Sequence, residues 1–97
     1  MHPIGLSWFR ERDYPRILEI MDDPDSLPPT FERWKLAAEK LEAWSKAKDY
    51  VVIRAIIDPG EFGAWCASQG LQLDGTARSL FATEFAERVA KAVPINN

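Results

Sequence analysis

The chain has a single cysteine, Cys66, and a single histidine, His2. One thiol excludes an internal disulfide and fits a reducing compartment, and one thiol with one imidazole falls short of a structural zinc site. There is no apolar run of about 18 residues and no charged-then-apolar leader, so neither membrane spanning nor secretion is expected and a cytoplasmic address follows. A basic excess is missing too. Twelve Lys and Arg against fifteen Asp and Glu give a net charge of -3 and a pI near 5.1, which attracts neither a phosphate backbone nor an anionic membrane. Glycine-rich phosphate loops, a Ser/His/Asp set and H-E-x-x-H are absent, and no catalytic group, metal or cofactor is expected.

What the chain does have is aromatic and helical. Four tryptophans and five phenylalanines in 97 residues supply large apolar area, enough for one core and for an aromatic-rich interface. Pro24, Pro28 and Pro29 punctuate one loop and are too few to separate domains, so residues 1–97 read as a single globular domain. Before that loop, Asp13 stands as a cap for a helix over about Tyr14 to Asp22, with Pro15 in its first turn. After it, Thr30 caps a long helix whose Phe31, Trp34, Ala37, Ala38, Leu41 and Trp44 recur at three- and four-residue steps. Leu36, Ala43 and Ala47 form a thinner stripe on its opposite side.

The only strong strand signal is Tyr50 to Ile57, a β-branched run interrupted by Arg54 and apolar on both faces. Asp58-Pro59-Gly60-Glu61 follows as a cap, a first-position proline and an acid, and the short helix it opens bears Phe62, Trp65 and Cys66 and stops at Gly70. Asp74 caps a last helix with a stripe of Ala77, Phe81, Phe85, Val89 and Ala92. A lone strand leaves its backbone groups unsatisfied, and the weaker segment Ile4 to Phe9 is its candidate partner in either direction. The predicted fold is α+β, mainly helical with about four helices and a small two-stranded sheet, extended across a homodimer if the sheet edge is used.

Quoted as they stand, WFRERDYPRIL, LPPTFERW, IDPGEFGAWCASQGL and LDGTARSLFATEFA resemble the recurring segments of a group of small uncharacterised bacterial proteins. The likeness implies a bacterial, cytosolic, single-domain protein and transfers no functional residue, because the shared segments are caps, turns and core stripes.

Two functional readings follow. The preferred one is non-catalytic association, most simply as a homodimer, through the sheet edge at Val52 or the Leu36, Ala43 and Ala47 face. The alternative is a small-ligand binding protein or enzyme with a cleft lined by Trp34, Arg54, Trp65, Glu84 and Arg88, an aromatic and charged set of the kind ligand sites use. Glu84 and Arg88, four apart, otherwise read as a surface ion pair. Cys66 lies past the first turn of its helix, where a thiolate gains little, and reads as a buried small hydrophobe. Asp22, Asp23 and Asp25 lack the spacing of a calcium loop and read as solvated acids. The last two helices have the outline of a helix-turn-helix, but Thr76, Arg78 and Ser79 are a poor set for a DNA reader.

Overall fold

Gly5 decides how the molecule is layered. In the computed structural model, which describes residues 2–92, it lies in strand β1 (Pro3–Trp8), which pairs in parallel with β2 (Val51–Ile56), Pro3 opposite Val51 and Trp8 opposite Ile56. Side chains alternate across a strand, so Gly5, Ser7, Ile53 and Ala55 share one face. Helix α4 (Gly75–Ala92) covers that face and touches both strands, β1 more closely. A Cβ on Gly5 would collide with the Ala82 carbonyl and lie 3.1 Å from the Ala86 Cβ. Only glycine lets the helix backbone down onto the strand.

Helix α2 (Phe31–Ala47) covers the other face, which carries Leu6, Trp8, Val52 and Arg54. The Thr30 hydroxyl accepts from the Arg33 amide at 3.2 Å and starts it. Trp34 meets Trp8 edge to face at 5.2 Å. Arg54 lies over the Trp8 ring at 3.9 Å and donates twice to the Glu42 carboxylate, both bonds 2.7 Å. That fork fixes α2 above β2 rather than above β1.

The core sits beyond the carboxyl ends of the strands, where Phe9 and Ile57 continue inward from β1 and β2. Helices α1 (Tyr14–Ile20) and α3 (Pro59–Gln69) bring Tyr14, Ile17, Phe62 and Cys66 to it, and α4 adds Ala77 and Phe81. Asp58 caps α3 by accepting from the Glu61 amide at 2.9 Å, and Gly70 ends it in the left-handed region at φ 67°. Asp74 accepts from the Ala77 amide at 3.0 Å. The α+β class, the four helices and the two-stranded sheet agree with expectation, and the parallel direction settles what periodicity had left open.

Several local expectations need correction. Helix α1 stops at Ile20, and Asp13 makes no capping bond because its carboxylate accepts from Arg10 Nε at 2.8 Å. The buried arc of α4 is rotated toward Ala82 and Ala86, with Phe85 and Val89 only half-buried, because the sheet meets the helix at its small residues. The stripe of α2 is only half used: Trp34 is buried, while Leu41 is 48% and Trp44 57% exposed. On β2, Val51 and Ile56 are exposed rather than covered.

Candidate functional site

Along the free side of β1 runs a cleft of about 330 Å³. Its floor is four consecutive residues, Gly5 to Trp8. One wall is α2, through Trp34, Ala37, Ala38 and Leu41, and the other is α4, through Ser79 and Ala82. Ser26, Leu27 and Pro28 close it at the Trp8 end, the loop being held there by the Tyr14 hydroxyl donating to the Pro28 carbonyl. A second hollow of about 160 Å³ continues past Gly5 to Pro3, bordered by Thr83, Ala86 and Glu87 of α4. The two together follow the whole outer edge of the strand.

The backbone on that edge is unpaired. Val51 N–H donates to the His2 carbonyl at 3.1 Å and Ile57 N–H to the Trp8 carbonyl at 2.9 Å, which sets the phase of the parallel ladder: even-numbered residues of β1 face β2, and odd-numbered ones face away. Gly5 and Ser7 therefore turn N–H and C=O into the cleft, and neither has a hydrogen-bond partner among the described residues. Pro3 is on the same side and has no N–H to offer. Unpaired strand backbone between apolar walls is suited to holding another extended backbone or an apolar group.

The charged groups near the site are committed to structure. Arg54 and Glu42 lock α2 to β2, the arginine lowering the Glu42 carboxyl below its ordinary range and being raised in turn by it. Arg78 is buried on α4 at 7% exposure and donates to both Asp23 oxygens, at 2.8 and 3.0 Å. Those bonds hold Asp23 down to about 2, and Ser26 and the Gly75 amide add to the effect. Asp23 is therefore not a solvated loop acid. Asp22 accepts from the Leu73 amide at 2.9 Å, so two of the three loop acids tie the loop to the segment before α4. Cys66 is fully buried, and burial pushes its thiol up, with Asp74 and Asp22 pushing the same way. Among the described residues no group of three His, Cys, Asp or Glu is placed to hold a metal.

The five residues read as a ligand cleft are not gathered in one cavity. Trp34 lines the cleft beside β1. Arg54 lies on Trp8 and Glu42. Trp65 is half-buried, stacked with Phe62 at 6.1 Å and edge-on to Phe81 at 5.3 Å. Glu84 and Arg88 border a separate shallow hollow with Glu87 and Lys91 and are not within ion-pair distance of each other. Of the residues read as an interface, Leu36, Ala43 and Ala47 are exposed on α2 and Val52 is half-buried on β2. None of these four lines the β1 cleft.

Of the residues lining the cleft, sequence reasoning named only Trp34 as a site residue; the floor from Gly5 to Trp8 and Ser79 and Ala82 of α4 are among those missed. One signal was available. A glycine inside a strand marks close backbone approach, and Gly5 with Pro3 identifies an edge under a helix. Among the described residues no helix is long and apolar enough to cross a membrane. The chain matches no protein-family model, and neither the curated proteins nor the solved structures give a match.

Proposed function

We propose that the chain is a non-catalytic association protein whose first partner is a second copy of itself. The observation that carries this reading is the apolar wall of Ala37, Ala38 and Leu41 of α2 beside the unpaired edge of β1, with Leu41 48% exposed. Large exposed apolar side chains grouped around unmet hydrogen-bonding groups mark a contact surface rather than ordinary surface. The buried, raised thiol of Cys66 and the structural use of Arg54, Arg78 and Asp23 support a non-catalytic role. The unpaired cysteine supports a reducing, cytoplasmic setting, and the net charge of -3 supports a protein rather than a nucleic-acid partner. Light scattering from micromolar to near-millimolar concentration should show a mass rising to twice that of the 11.0 kDa monomer. A monomer throughout that range would remove the self-association reading.

A second reading rests on the cleft itself. Its volume falls at the low end of small-ligand sites, and apolar walls with a few hydroxyls suit a small apolar molecule. A thermal-shift screen of small apolar metabolites tests it; a melting temperature that rises with ligand concentration and no longer does so in Ala38→Trp would favour this reading.

A further inference from the structure

We infer that the partner copy docks edge to edge on β1, the two β1 strands running antiparallel about a two-fold axis at Leu6, so that two small sheets become one of four strands. This rests on the self-association reading and specifies its surface and register.

The hydrogen-bond geometry is self-complementary. With Leu6 opposite the partner's Leu6, Gly5 faces the partner's Ser7. Gly5 N–H donates to the carbonyl of the partner's Ser7, and the Gly5 carbonyl accepts from its amide. Both cleft-facing residues are then fully paired. Pro3, which has only a carbonyl to offer on this side, accepts from the amide of the partner's Phe9, and the ladder ends where the proline has no donor. Centring the axis on Gly5 instead would set Ser7 against the partner's Pro3 and leave the Ser7 carbonyl without a donor.

The helical layers fit the same arrangement. Adjacent strands are about 4.8 Å apart, whereas packed helices need roughly 8–10 Å between axes, less where the contact residues are small. Helix α4 leans over β1, so two copies of it come close together, and its edge-side residues Ser79, Thr83 and Ala86 are small, with Glu87 bordering the hollow at the Pro3 end. Helix α2 is held over β2 by the Arg54–Glu42 fork, so its two copies stand farther apart, and its edge-side wall carries the larger Trp34 and Leu41 beside Ala37 and Ala38. The larger apolar side chains stand on the face with the wider gap. The outer edge of β2 borders none of the cavities described, which is why β1 is the docking edge.

The test is a symmetric disulfide. Directly opposed residues of a non-hydrogen-bonded antiparallel pair lie about 4.5 Å apart at Cα, within disulfide reach, so Leu6→Cys should cross-link to a dimer under mild oxidation, and Val52→Cys on the other edge should not. Buried Cys66 leaves the assay a clean background. Hydrogen exchange gives a second readout that needs no variant. The amides of Gly5 and Ser7 should slow as concentration rises, while those of Leu6 and Trp8, paired to β2, stay slow at every concentration. A dimer in which Val52→Cys cross-links and Leu6→Cys does not would overturn the β1 edge and leave self-association standing. A monomer at all concentrations would overturn both. A monomer whose Gly5 and Ser7 amides are protected by an added alternating Val-Ala peptide would give the edge to another polypeptide and overturn the second copy as occupant.

Discussion

Asp23 and Arg78 are one unit, and their chemistry makes stability depend on acidity in a defined window. The Asp23 carboxyl is held at about 2 in the folded chain, against 3.8 for a free side chain. A lowered carboxyl stabilises the fold fully above its unfolded value, and that contribution is lost as pH falls from about 4 through 2. A shift of this size corresponds to about 2 kcal/mol. Asp23→Asn should therefore lower the urea midpoint at neutral pH by an amount equivalent to about 2 kcal/mol or more, since Arg78 is left buried and unpaired. It should also flatten the midpoint's dependence on pH between 4 and 2; an unchanged acid profile would show that Asp23 is not the titrating group. At Gly5 the effect is steric. Gly5→Ala should cost about 2–3 kcal/mol or more, because the new methyl meets the Ala82 carbonyl rather than a side chain that can turn away. Cys66, at the centre of the core, should react with an aromatic disulfide reagent slowly when folded and rapidly in denaturant. Rapid labelling of native protein would place the thiol at an accessible surface.

Local chemistry predicts the ends of elements better than it predicts their faces. The caps at Thr30, Asp58 and Asp74 and the stop at Gly70 were all legible, because each depends on a side chain or a torsion within a few residues of its target. Asp58→Ala should accordingly lower stability by about 1 kcal/mol, measured as a lower denaturant midpoint. Gly70→Val should cost more, since a β-branched residue is strained at φ 67°. The half-used stripe of α2 was not legible. Its repeat of Phe31, Trp34, Ala38, Leu41 and Trp44 reads as one buried face, yet the Arg54–Glu42 fork places the helix over β2 and leaves its later residues outside. That contact joins residues twelve apart in sequence through a charge that periodicity treats as polar surface. The same limit applies to Asp23, whose partner Arg78 lies fifty-five residues away. Asp49, at φ 67° in the turn before β2, was missed as well, because nothing short of the turn itself asks for a left-handed residue there.

As a whole, the molecule is a thin sheet between two helices with its aromatic core at one end, 46 by 31 by 21 Å. Fold class was readable because two strand-forming segments and four capped helices allow few arrangements. The candidate site was not, because it is made by an edge and by what two helices leave uncovered beside it. A test at this scale is Leu41→Glu, a charge on the exposed wall of α2. It should leave the monomer's circular dichroism and melting temperature nearly unchanged and lower the mass at high concentration toward that of the monomer. A variant that still pairs would move the contact away from α2. Parallel pairing of β1 with β2 also puts the molecule on a clock. About forty-eight residues separate Pro3 from its opposite number Val51, and at roughly 5–20 residues per second of synthesis β1 waits about 2–10 seconds with its hydrogen-bonding groups unmet. Its Gly5 face waits longer still, until Ala82 of α4 has been made. For that interval the nascent strand is exposed to every other extended chain nearby, with the segments of α1 and α2, made before β2, to lie against it.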